Sequence, residues 1–302
     1  MPGQRCLATV LLCFAWLGLV EAARAQVVIR RVDPSSTDAS IERVRGQHLA
    51  VYDTSVPSRH LLLIFLVGTR ANPESGLTLD TAFGSWGFHA ISLDYENGAL
   101  AASCSPSPDS TCFDHYRETI VTGAPGSDKI SVTPANSILN RVDKLLGYLV
   151  RTDPGGGWGE FVSGDHPRWD RVVVAGHSQG SGHAAYLGKM FRVNRVLMFS
   201  GPQDYLDEFH KPAPWQFRDS ATPPGRFFAF LNEHDPFHVE HQIANCGALM
   251  KLESPQPITV TAGGEITGYH QILVNDVLKD PHNSTLLPQF EFVWRYMATA
   301  EP

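Results

Sequence analysis

The chain is short of cysteine, short of positive charge and, after its first 25 residues, without a long apolar run. Lys and Arg number 24 against 31 Asp and Glu, for a net charge of −7. No basic cluster with interleaved aromatics offsets that balance, so nucleic acid is excluded as an expected partner. No stretch after residue 25 approaches the roughly 20 apolar residues that cross a bilayer. Internal repeats and low-complexity segments are also missing. Of five Cys, Cys6 and Cys13 lie near the start, leaving Cys104, Cys112 and Cys246. Without a second ligand pair at comparable spacing, these do not form a zinc site, and no metal is expected.

What is present begins with a leader. Arg5 supplies a positive n-region, Cys6 to Val20 an apolar core, and Ala23-Arg24-Ala25 a small-residue cleavage site. The expectation is a secretory signal over 1–25, cut before Gln26, with a single domain over 26–302 that is secreted or periplasmic and not inserted in a membrane. In such a compartment Cys104 and Cys112, which bracket the turn-rich Ser-Pro-Ser-Pro-Asp-Ser-Thr, are expected to form a disulfide. Cys246 reads as a small core residue.

Apolar runs alternate with helical patterns. Val27 to Val32 and Leu49 to Val51 read as short strands, antiparallel at one edge. His60 to Val67, His89 to Tyr95, Val193 to Phe199 and Phe227 to Leu231 read as further strands, His60 to Val67 being apolar enough for burial on both faces. Helical patterns fall at 75–86, Pro134 to Arg151 (capped by Thr133), His241 to Leu252 and Pro288 to Met297. Asn97 to Ile130, with a short helix near Asp114 to Val121, and the proline-rich Pro202 to Pro224 read as excursions over a site. Strands alternating with helices predict an α/β fold whose mostly parallel sheet carries helices on both faces, with ligands beyond the carboxyl ends of the strands.

Arg171 to Ala185 organises the rest. A β-branched run, Val172-Val173-Val174, leads into Gly176-His177-Ser178-Gln179-Gly180 and then into a small-residue helix. The pattern G-x-S-x-G between a strand and a helix is the nucleophile elbow, whose tight bend tolerates no Cβ at either glycine. Through this elbow, and through the order of segments over about residues 48–300, the chain resembles the α/β-hydrolase family. It looks most like secreted bacterial esterase-like members.

The resemblance implies the order Ser, acid, His. Ser178 is then the nucleophile. The acid is Asp235, after the second strand past the elbow, with Asp204 and Glu233 as alternatives. The base is His282, near the C-terminus, with His270 as the alternative; His238 follows the acid too closely. The backbone N–H of Gln179 and one from Thr69 or Arg70 would form the oxyanion hole, although the HGGG pattern of many lipases is missing. His177 and His183 lack a third ligand at readable spacing, and Asn283-Ser284-Thr285 is a sequon expected to be unused beside His282. The activity implied is cofactor-free hydrolysis of small-molecule or lipid-like carboxylic esters through an acyl-enzyme. An acyltransferase, a peptidase or a catalytically silent binding protein could share the scaffold.

Overall fold

The computed structural model describes residues 26–255, 257–261 and 264–301. The expected leader and its cleavage site lie outside the described residues. Nine strands form one sheet: β1 (Val27–Val32), β2 (His48–Asp53), β3 (Leu62–Leu66), β4 (His89–Leu93), β5 (Val172–His177), β6 (Arg195–Phe199), β7 (Phe227–Asn232), β8 (Ile258–Val260) and β9 (Gln271–Val274). Their spatial order is β1-β2-β4-β3-β5-β6-β7-β9-β8. β2 runs antiparallel to both β1 and β4, and every other neighbouring pair is parallel.

Every residue of β3, β5, β6 and β7 is buried. This is why these segments read as continuous apolar runs and not as alternation: helices cover both faces. α4 (Gln179–Met190) covers one of them. A Cβ on its Gly188 would lie 2.5 Å from Val196 of β6 and 3.1 Å from the ring of Phe227. Along β7 successive side chains alternate in direction. Phe228 and Phe230 therefore meet the opposite layer, at Tyr296 of α6 (Glu291–Thr299) and at Phe290, with ring centroids 6.2 and 5.3 Å apart. Truncating such a buried Phe to Ala costs about 3–5 kcal/mol. The remaining helices longer than one turn are α1 (Leu77–Ser85), α2 (Cys112–Thr122), α3 (Ile138–Thr152) and α5 (Val239–Leu249). This sheet order, with β2 reversed and the elbow after a central strand, is an α/β-hydrolase fold.

One local expectation changes. Thr133 does not cap the helix after it; Pro134–Asn136 forms a separate 3-10 turn, and the Ser137 hydroxyl accepts the Asn140 N–H at 3.2 Å to cap α3. Thr133 instead accepts from Asn136 Nδ2 at 2.8 Å. β8 is only three residues long and carries too little pattern to be read from sequence. His282 sits in a one-turn helix, Pro281–Ser284, capped by Asp280.

The two excursions sit side by side over the carboxyl end of the sheet. Cys104 and Cys112 are joined as a disulfide with their Cα atoms 5.5 Å apart, closing the loop that leads into α2. In the second excursion Tyr205–Leu206 pairs with Lys211–Pro212, and the Asp207 N–H donates to Ser105 O in the first at 2.9 Å. Among the described residues no helix is long and apolar enough to cross a membrane.

Candidate active site

At the elbow the chain leaves β5 and turns into α4 within one residue. Ser178 takes φ 55° and ψ −122°, a left-handed conformation that costs an L-residue on the order of 1–3 kcal/mol. Hydrogen bonds hold it there. The Ser178 N–H donates to Phe199 O at 2.8 Å, and the Ser181 N–H donates to Ser178 O at 3.0 Å. The glycines are steric requirements: a Cβ on Gly176 would lie 2.1 Å from Gly180 O, and one on Gly180 would lie 1.9 Å from Leu66 O. The result is a half-exposed serine hydroxyl above the sheet edge at the start of a helix.

Asp235 and His282 meet at this edge. His282 Nδ1 lies 2.8 Å from Asp235 Oδ2, and the Phe237 N–H donates to Asp235 Oδ1 at 2.9 Å. Burial pushes the Asp235 carboxyl up, but the hydrogen bond and charge of His282, aided by the Phe237 N–H, outweigh it and leave the group below its ordinary range. An ionised Asp235 requires the proton on Nδ1, which leaves Nε2 as the imidazole's acceptor. The Asp235 side chain is fully buried, whereas that of His282 keeps 11% of its surface exposed.

The main chain of His282 is held as firmly as its ring. Its carbonyl accepts from His177 Nε2 at 3.0 Å and from the Ser200 hydroxyl at 2.6 Å. Burial, with the neighbouring His282 ring adding to it, draws His177 down to about 4, so it is neutral at pH 7 and donates from Nε2. The Phe237 ring stands edge-on against the His282 ring, centroids 4.5 Å apart.

Ser178 and His282 both line a cavity of about 240 Å³, together with Thr69, Leu100, Gln179 and Phe237. Among the described residues neither Ser178 Oγ nor His282 Nε2 has a hydrogen-bond partner. No described residue accepts the backbone N–H of Gln179 or of Thr69 either, although the Thr69 hydroxyl donates to Gln179 Oε1 at 2.9 Å. Arg70 differs from Thr69 in this respect. At φ 60° its N–H turns away and donates to Asn97 O at 3.0 Å.

The other candidates lie elsewhere. Asp204 is fully buried, its carboxylate accepting from Arg117 Nε and Trp215 Nε1, each at 3.0 Å. Arg117 reaches on to donate to Gln179 O at 2.7 Å, so this pair ties α2 and the second excursion to the elbow helix. His270 precedes β9, at the opposite end of the sheet from the elbow, with Nδ1 3.1 Å from Phe227 O and its ring stacked on Phe228 at 4.5 Å. Glu233 accepts from the Thr259 hydroxyl. His183 is enclosed between Tyr95 and Tyr116, and burial holds its imidazole well below the ordinary value. No group of three or more potential metal ligands occurs among the described residues. Asn283 caps back onto Asp280 through Nδ2 at 2.7 Å.

Sequence reasoning missed Arg117, Ser200, the tie from His177 and the wall made by Phe237. None carries a local signal, since each acts through a contact distant in the chain.

No family model matches this sequence, and no curated protein matches it. Solved structures do match. The crystal structure of TT1662 from Thermus thermophilus is 17% identical, with a TM-score of 0.45, over 90% of this chain and 97% of that one. A bacterial heroin esterase is 14% identical, also with a TM-score of 0.45, over 91% of this chain and 83% of that one. The assignment of an α/β-hydrolase fold rests on the sheet order and on the elbow of this chain.

Proposed function

We propose that the protein hydrolyses carboxylic esters through an acyl-enzyme on Ser178, with His282 as general base and acid and Asp235 as the group that orients it. The observation that carries this reading is the 2.8 Å Asp235–His282 bond opening onto the same cavity as a strained serine at a helix N-terminus. A serine hydroxyl is a weak nucleophile until an imidazole takes its proton, and the imidazole needs a carboxylate to fix its tautomer.

As Ser178 Oγ attacks the ester carbonyl, its proton passes to His282 Nε2. The oxygen of the tetrahedral intermediate takes the free N–H groups of Gln179 and Thr69, each such donor contributing roughly 3 kcal/mol. His282 then gives its proton to the departing alcohol oxygen. Water, deprotonated by the same nitrogen, cleaves the acyl-serine and releases the carboxylic acid. The chemistry needs no cofactor.

The Cys104–Cys112 bond supports placing this activity outside a reducing cytoplasm after removal of residues 1–25. A fluorophosphonate probe tests the reading. It is expected to label Ser178 and to abolish hydrolysis of p-nitrophenyl acetate; an unlabelled, active protein would refute it.

A further inference from the structure

The cavity over Ser178 is bordered at Phe237 by another. A second chamber of about 320 Å³ shares Ala102, Gln203 and Phe237 with the first and is lined beyond them by Ser105, Asp207 and His241. The two chambers differ in chemistry. Beside Ser178 the apolar part of the wall comes from Ala71, Leu100 and Ala101, and this cavity, at about 240 Å³, is the smaller of the two. The second chamber is lined by the polar residues Asp207, Gln203, Ser105, His238 and His241 around Phe237, which is 53% exposed.

The His241 ring and the Asp207 backbone are held in place before any ligand arrives. His241 is sandwiched between Tyr205 and His238, with ring centroids 3.7 and 4.9 Å away. The Asp207 N–H is bonded to Ser105 O, one residue from the disulfide. Burial draws His241 below its ordinary value, so at pH 7 its ring offers one donor and one acceptor.

Several occupants fit poorly. A long acyl chain would strip water from a carboxylate and two imidazoles with nothing in return. An anion would face Asp207. A cation would find Asp207, but the neighbouring Glu240 is engaged by His238 at 3.2 Å. A ring with apolar C–H faces and hydroxyls at its rim matches both the exposed phenyl and the alternating donors and acceptors.

We propose that the alcohol half of the substrate is such a hydroxyl-rich ring, a glycosyl group or similar polyol, which binds in the second chamber while an acetyl-sized acyl group sits over Ser178. The inference rests on the proposed role of Ser178. In the reaction the acyl carbon exchanges its bond to the sugar oxygen for one to Ser178 Oγ, the sugar oxygen takes the proton from His282, and water then releases the acid.

The test compares kcat/KM on methyl 6-O-acetylglucoside, p-nitrophenyl acetate and p-nitrophenyl octanoate. The acetate is expected to exceed the octanoate by about tenfold or more. In Asp207→Ala and His241→Phe, the latter keeping its stack on Tyr205, the ratio of acetylglucoside to p-nitrophenyl acetate is expected to fall about tenfold or more, a loss confined to the sugar-binding arm. Far-UV circular dichroism checks that both variants fold. Ratios that stay within about tenfold of wild type in both variants, or an octanoate at least as good as the acetate, overturn the inference. Failure of the underlying hydrolase reading looks different: no p-nitrophenyl ester is cleaved and the fluorophosphonate leaves Ser178 unlabelled.

Discussion

Two aspartates follow the elbow strand at equivalent places, each just past the carboxyl end of a later strand, and they meet opposite kinds of partner. Asp204, after β6, is enclosed with a guanidinium and an indole that occupy its carboxylate. Asp235, after β7, turns one oxygen to a backbone N–H and the other to an imidazole that opens on a cavity. Position along the sheet brings both near the site; the partner decides what each can do. A permanently charged Arg fixes a carboxylate as scaffold, whereas an imidazole with an exposed edge lets it govern a proton.

The contrast can be broken by substitution. The largest effect is expected at the imidazole: His282→Ala should lower kcat about 10³-fold or more, some 4 kcal/mol of barrier, measured on p-nitrophenyl acetate. Activity within about tenfold of wild type would detach Asp235 from the chemistry.

Next comes Asp204→Asn, which strands the buried Arg117 charge and should cost about 3–5 kcal/mol of stability in urea unfolding, while the folded protein keeps more than about a tenth of its activity. Loss of activity without loss of stability would reverse the two roles. Asp235→Asn should then lower kcat by more than about 10²-fold, less than His282→Ala, because the ring keeps some productive population without its carboxylate. Its melting temperature should stay within a few degrees of wild type, on the order expected for about 1 kcal/mol.

A third buried carboxylate sharpens the comparison. Asp80 of α1 is wholly enclosed beside Ser92, and no cation pairs with it among the described residues. Burial, only partly offset by Ser92, pushes it up to about 8. A folded pKa above the unfolded value near 4 means that the native state holds the proton longer. Its contribution to stability is complete below about pH 4 and fades as pH rises toward 8. Urea midpoints of Asp80→Asn and wild type should therefore diverge between pH 5 and 8 in favour of the variant, a smaller effect read as a difference in slope. Parallel profiles would show that Asp80 ionises freely.

The elbow was legible because its demands are local: two glycines within five residues, each excluded from bearing a Cβ by atoms within 2.1 Å. Asp235 and His282 could be placed through the order of segments, though not separated from Asp204 and His270 by pattern alone. That separation depends on which end of a strand a residue leaves and on which partner it meets. Arg117 and Ser200 left no trace, since they act across 87 and 82 residues of chain and obey no period. Thr69 and Arg70 differ by one backbone rotation, which puts the second N–H to other use.

The grip of His177 and Ser200 on the His282 carbonyl bears on how this region can change. The peptide unit of His282 is anchored to the ends of β5 and β6, so its place does not depend on the length of chain that delivers it. The turn between β9 and the one-turn helix is tied at Asn275 to His234 and at Asp276 to Asn232 Nδ2, and it reaches water at Val277, which is 81% exposed. Residues gained or lost there would loop outward into water and leave the imidazole where it stands.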